Sequence, residues 1–189
     1  MLHQLIKPLF FLVTGILLLW LLVRQLFGPN LRKKFSPLWK EIVIVLFLIY
    51  SGCVLFITMY PVPMTLIKTV GNGNINLVPF AYTFKGLTTM PPSTKEQLQV
   101  FYLQNIVGNI ILFIPLGSLL PLVSRYKNLV NILIAATLSS AAIELSQFFL
   151  RFAGVYRLVD IDDVILNVSG AFIGFMLLVI LKRIFTKNV

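Results

Sequence analysis

The sequence predicts an all-α fold: a polytopic membrane helix bundle of about five transmembrane helices, N-terminus outside and C-terminus cytoplasmic. Three observations lead there. The 189 residues are 58% hydrophobic and only 12% charged, whereas soluble chains average about half apolar and about a quarter charged. Five apolar runs each approach the roughly 20 residues that a hydrocarbon core about 30 Å thick demands. The basic residues also divide unevenly between alternate connections. A mean hydropathy of +0.94 excludes a disordered chain, which needs low hydrophobicity. Sixteen Lys and Arg against six Asp and Glu leave a net charge of +10, but a nucleic-acid binder carries its charge as a dense basic surface. No nucleic-acid partner is expected from so apolar a chain.

The first run, near Leu5 to Phe27, has a charge-free centre from Leu9 to Val23, with Lys7 and Arg24 placed to snorkel. It reads as a retained helix, because no small-residue cleavage site follows and the heavier basic flank lies after the apolar run. The second run is Ile42 to Tyr60, the third Ile106 to Val123 and the fourth Leu129 to Leu150. Val164 to Leu181 is the apolar part of the fifth. Cys53, the single cysteine, lies within the second run and reads as a small buried hydrophobe. One cysteine excludes both an intramolecular disulfide and a cysteine zinc cluster.

Orientation follows from charge. Arg24, Arg32, Lys33, Lys34, Lys40, Arg125, Lys127, Lys182, Arg183 and Lys187 share one side if the helices alternate. Short cytoplasmic loops collect such residues. The cluster at 32–34 then reads as a topology determinant facing anionic lipid. Trp39, beside Lys40, suits the interfacial aromatic belt. Three parts result: two N-terminal helices with a basic connection over 1–60, an outer loop over 61–104, and a three-helix core over 105–189.

The loop from Pro61 to Gln104 is 44 residues long, a length that is uncommon without a purpose or disorder. Pro61 and Pro63 end the second run, Gly71-Asn72-Gly73-Asn74 carries turn chemistry, and Pro91-Pro92 block helix. Ser93 and Glu96 fit a capping box. The helix it opens would pass Leu98 and Phe101 into the third span, where Pro115 should kink it.

Polar groups inside spans are the informative residues, because lipid cannot satisfy them. The fourth span carries Ser140, Glu144, Gln147 and Arg151 on one helical stripe. The fifth carries Asp160, Asp163, Asn167, Gly170 and Gly174 on another, and the third places Asn105, Gly108 and Asn109 on one face. In the alternating topology all three polar ends gather in the outer half of the membrane. Each has a plain structural reading beside the functional one. Glu144 is close enough to its helix end to snorkel, or to pair with Arg151 or Arg157. Asn105, Asn109, Gln147 and Asn167 suit hydrogen bonds across helices. Gly170 and Gly174 have the small-xxx-small spacing that favours close helix packing. Asp160 and Asp162 are expected in headgroup water, which leaves Asp163 as the better site candidate.

No established catalytic constellation emerges. The sole histidine, His3, is far along the chain from the polar stripes, and there is no nucleophile elbow, Walker loop or histidine metal pair. No cofactor or metal is called for. The carboxylates Glu144 and Asp163 with their neighbouring amides are open to three chemistries: acid–base work on a lipid headgroup, divalent-cation binding through oxygen, or a satisfied polar network.

Read in order, four pieces resemble the VanZ-like family of bacterial membrane proteins. They are Asn76-Leu77-Val78-Pro79-Phe80; Gly108-Asn109-Ile110-Ile111-Leu112-Phe113-Ile114-Pro115-Leu116-Gly117; Glu144-Leu145-Ser146-Gln147; and Arg157-Leu158-Val159-Asp160-Ile161-Asp162-Asp163-Val164-Ile165-Leu166-Asn167 with Gly170 and Gly174. The resemblance covers Asn76 to Phe175, about half the chain, and leaves the first 60 residues unidentified. It implies a multi-pass protein of the bacterial cytoplasmic membrane. The family's name member is associated with low-level resistance to teicoplanin, a lipid-tailed glycopeptide, without an established reaction. No catalytic residue is carried over, but the motif positions coincide with the polar stripes and add Asn76 and Arg157 to the candidates. The expected partners are membrane lipids, including an envelope lipid or an amphiphilic drug. An enzyme acting on a lipid headgroup, with Arg157 holding phosphate, and a small lipid transporter requiring an oligomer are the alternatives.

Overall fold

The computed structural model describes residues 2–32, 38–59, 75–80, 95–153 and 159–187. Five α-helices account for most of them: α1 (Leu2–Arg32), α2 (Leu38–Met59), α3 (Lys95–Val123), α4 (Leu129–Leu150) and α5 (Ile161–Lys187). A 3₁₀ turn, Arg151–Ala153, ends α4. Two strands of two residues each, β1 (Ile75–Asn76) and β2 (Val159–Asp160), pair in parallel, with Ile75 opposite Val159 and Asn76 opposite Asp160.

The fold class is the all-α bundle expected. Within the described residues, α2, α3, α4 and α5 are long and apolar enough to cross a membrane, over Trp39–Met59, Tyr102–Val123, Leu129–Leu150 and Ile161–Phe185. The first helix differs. Its 31 residues have the length to cross, but its apolar stretch is Lys7–Leu22, about 24 Å at 1.5 Å per residue. The third span is continuous with the helix that precedes it, and α3 runs through both Pro115 and Pro121. Ser93, half of the expected capping box, lies outside the described residues, as do Pro61, Pro63, the Gly71–Asn74 turn and Pro91-Pro92.

Local chemistry starts α4 and α5. Asn128 is the N-cap of α4, its side chain accepting from the Asn131 N–H at 2.8 Å. At α5, Asp160 Oδ1 accepts from the Asp162 N–H at 2.9 Å, and Asp162 and Asp163 place negative charge in the first turn, at the positive end of the helix dipole.

The centre of the bundle is α5, which packs most extensively on α3 and next on α4, while α2 lies against α3 and α1 against α2. Glycine sets the α3–α5 distance. A Cβ added at Gly170 or Gly174 would overlap the carbonyl oxygens of Ile110 and Ile114, and one at Gly117 would overlap that of Ala171. These backbones touch because nothing larger than hydrogen stands between them, the means by which helices associate where lipid offers no hydrophobic drive. Phe113, Leu116, Ala136, Ile143, Ala171 and Val54 form the apolar core. Tyr50 Oη donates to the Leu112 carbonyl at 2.9 Å, joining α2 to α3. Outward-facing residues such as Phe11, Leu138 and Ile180 are apolar and exposed, as a lipid-facing surface requires.

Candidate functional site

The site is built where the spanning run of α3 (Tyr102–Val123) and α5 begin, where α2 and α4 end, and where β1 meets β2. Polar side chains join α3 to α5, α4 to α5, α4 to α2 and α4 to β2 there. Asp163, in the first turn of α5, accepts at Oδ1 from Asn109 Nδ2 at 2.6 Å and from Asn105 Nδ2 at 3.0 Å, both on α3. These two residues are four apart and share a helix face. Deeper along the α4–α5 seam, Asn167 Nδ2 lies 2.8 Å from Ser140 Oγ, with both side chains buried. Gln147 leaves α4 in another direction, and its Nε2 donates to the Thr58 carbonyl at 2.9 Å. Thr58 is in the last turn of α2, where carbonyls have no intrahelical partner.

A second chain of contacts runs through the strands. Glu144, 7% exposed, accepts at Oε2 from the Asp160 N–H at 3.1 Å. Asp160 Oδ1 accepts from Asn76 Nδ2 at 2.8 Å as well as from the Asp162 N–H. Asp162 Oδ1 then accepts from the Phe80 N–H at 2.7 Å, and the Val78 N–H turns back to Asn76 Oδ1 at 3.2 Å. Phe80 is held at φ 59°, a left-handed conformation that costs a residue with a Cβ about 1–2 kcal/mol. The loop segment is thus fastened to the start of α5 at two points.

Burial is the main influence on the Asp160 carboxyl and pushes its pKa up; the Asp162 N–H bond works the other way, the nearby Asp162 charge raises it further, and the Asn76 bond lowers it.

Asn76, Asn105, Asn109, Glu144, Gln147, Asp160, Asp163 and Asn167 therefore lie at one end of the bundle, linked through α4, α5 and the two strands. Arg157 lies outside the described residues. Gly170 and Gly174 are in the α3–α5 contact, one and two turns below the polar groups. Gly108, on the Asn105–Asn109 stretch, faces open space. Glu144 does not snorkel: it is turned inward onto β2. Asp162 corrects an expectation. Placed in headgroup water by the sequence, it is 3% exposed, because its carboxylate caps the Phe80 backbone.

Two contributors had no sequence signal. Thr58 offers a backbone carbonyl, which any residue there would supply; only its position in the last turn of α2 marks it. The β1–β2 pair is too short for periodicity to reveal. Among the described residues, no three His, Cys, Asp or Glu side chains gather to hold a metal ion, so the divalent-cation chemistry finds no ligand set there.

Most of this hydrogen-bonding capacity is used internally, but two buried amide oxygens have no partner among the described residues: Gln147 Oε1 and Asn167 Oδ1. The Gln147 orientation is fixed by chemistry, since a carbonyl can only accept and Nε2 must face Thr58. Its Oε1 is a buried acceptor, on a residue 4% exposed, and it sits within one turn of Glu144.

The family model VanZ/LLP1 matches residues 47–182. The chain belongs to the VanZ/LLP1 family. The match takes in every described site residue and extends N-terminally to most of α2, beyond the Asn76–Phe175 stretch over which the resemblance was read. No curated protein and no solved structure matches the chain. As a VanZ/LLP1 protein with four helices long and apolar enough to span a bilayer, it is a multi-pass membrane protein.

Proposed function

We propose that the polar end of this VanZ/LLP1 bundle engages the headgroup of an envelope lipid or of a lipid-tailed amphiphile. By doing so the protein modulates the cell envelope and its response to glycopeptides such as teicoplanin. The observation that carries this reading is the pair of buried amide oxygens without a partner among the described residues, Gln147 Oε1 and Asn167 Oδ1, each about one turn along its helix from a carboxylate, Glu144 and Asp163. Cross-linking helices accounts for the other polar contacts, whereas an unsatisfied buried acceptor is costly and is met by a ligand's N–H or O–H. The family supports a setting in the bacterial cytoplasmic membrane. The distribution of Lys and Arg supports a polar end facing outward, with α1 as a fifth crossing.

Glu144→Gln and Asp163→Asn keep size and remove charge. At matched membrane levels, either should reduce protection against teicoplanin and reduce the lipid recovered with gently purified protein by mass spectrometry. Unchanged protection in both variants would refute the proposed site.

A further inference from the structure

Ile75–Phe80, the described part of the long loop ahead of α3, has an arrangement that headgroup binding does not use. Asn76 is their single polar side chain and the only one turned inward, at 5% exposure; Leu77 is 71%, Val78 63%, Ile75 46% and Phe80 40% exposed. Apolar side chains so presented by irregular backbone are unfavourable in water, and contiguous patches of this kind mark interaction surfaces.

Two of the backbone donors beneath them are satisfied within the protein. Irregular backbone is tolerated at membrane depth only where it is buried against protein, so apolar side chains can reach the acyl chains only if the backbone stays on the protein side. The Val78 N–H is taken by Asn76 Oδ1 and the Phe80 N–H by Asp162 Oδ1, while Pro79 between them has no N–H. The two acceptors are buried, so both donors are turned inward and the side chains outward. The level is right as well. Asn76 pairs with Asp160, and the spanning run of α5 starts at the next residue, Ile161. At that same end of the bundle, Phe149 and Phe152 are exposed at the close of α4, continuing the lipid-facing surface of the helices.

We propose that Ile75–Phe80 is a bilayer-inserted tab, with Leu77, Val78 and Phe80 among lipid acyl chains and with Asn76 and Asp162 as its two fastenings. The left-handed Phe80 is part of this design: Asp162 holds the chain in the turn that presents the ring outward. Its test reads lipid contact of the loop side chains and does not depend on the proposed headgroup site.

Cys53 is the sole cysteine, so Cys53→Ala gives a background for single spin labels. The full chain is reconstituted in vesicles of phosphatidylglycerol and phosphatidylethanolamine, with labels at Leu77→Cys and Val78→Cys. Leu138→Cys, exposed midway along α4, is the lipid reference, and Lys127→Cys, in the exposed α3–α4 turn, is the aqueous one. Collision with oxygen should exceed collision with a water-soluble nickel chelate several-fold at 77 and 78, as at 138, with the ratio reversed at 127. A ratio at Leu77→Cys matching that at Lys127→Cys overturns the proposal. Low accessibility to both reagents, which signals a protein contact, overturns it equally.

Discussion

Replacing Gly170 by alanine separates two opposing effects by sign. In a helix interior, alanine is favoured over glycine by about 0.5–1 kcal/mol, so an unobstructed position should gain stability. At Gly170 the added methyl would overlap the Ile110 carbonyl oxygen, with the carbonyl carbon 2.9 Å and the Ile110 Cα 3.1 Å away. All three atoms are backbone, so no rotamer change relieves the overlap and α3 must move away from α5. Overpacking costs about 1–3 kcal/mol, and an obstacle of this kind belongs at the upper end, leaving a net destabilisation of about 2 kcal/mol. Gly174→Ala meets Ile114 in the same way. The two sites are one turn apart, about 5.4 Å, close enough to couple. Once one methyl has separated the helices the second costs less, so the double variant should lose less than the sum. Equilibrium unfolding in mixed micelles with increasing dodecyl sulfate measures this, with Gly15→Ala as control because nothing lies within 4 Å of its added Cβ. If Gly170→Ala is as stable as Gly15→Ala, the close α3–α5 approach is wrong.

Two other perturbations address the strands and the orientation. Burial raises the Asp160 pKa above the roughly 3.9 of an unfolded aspartate, so the folded state binds that proton more tightly and the stability contribution grows as pH falls through the folded value. Compared with Asp160→Asn, which keeps an acceptor oxygen without the charge, the wild-type unfolding midpoint should therefore rise between pH 7 and pH 4. A relative fall would mean that the hydrogen bonds to Asp160 outweigh its desolvation. For orientation, an impermeant maleimide applied to intact cells should label Asn72→Cys in the Cys53→Ala background, whereas Lys127→Cys should react only after permeabilisation. The reverse pattern would invert the bundle.

The helices were legible because the bilayer imposes one dominant rule, that a spanning segment be long, apolar and helical. The fourth apolar run, Leu129–Leu150, coincides with α4, because charge at Lys127 and Arg151 bounds it on both sides. Inside α4 and α5, the 3.6-residue period places Ser140 with Glu144 and Asp163 with Asn167, and lipid makes such stripes conspicuous. The first helix was harder to read because Lys7 and Arg24 bracket an apolar stretch of marginal length. What escaped periodicity were contacts made across long separations by single atoms. Asn76 and Asp160 are 84 residues apart, and nothing in two residues of strand announces a partner. Asp162 misled because a carboxylate at a helix start is ordinarily solvated; its burial follows from a backbone N–H in a remote loop.

The same distinction bears on the proposed site. Glu144, Asp160, Asn105, Asn109 and Asp163 hydrogen-bond in ways that hold α3, α4, α5 and the strands in register. Such a network is intelligible without any ligand, since each polar group in a membrane bundle needs a partner. Gln147 is different. A donor alone would satisfy the Thr58 carbonyl, and a lysine or a serine could provide one. The amide brings in addition an acceptor that has no partner among the described residues, at 4% exposure. Register explains one half of that side chain; the other half is the acceptor on which the proposed headgroup contact rests.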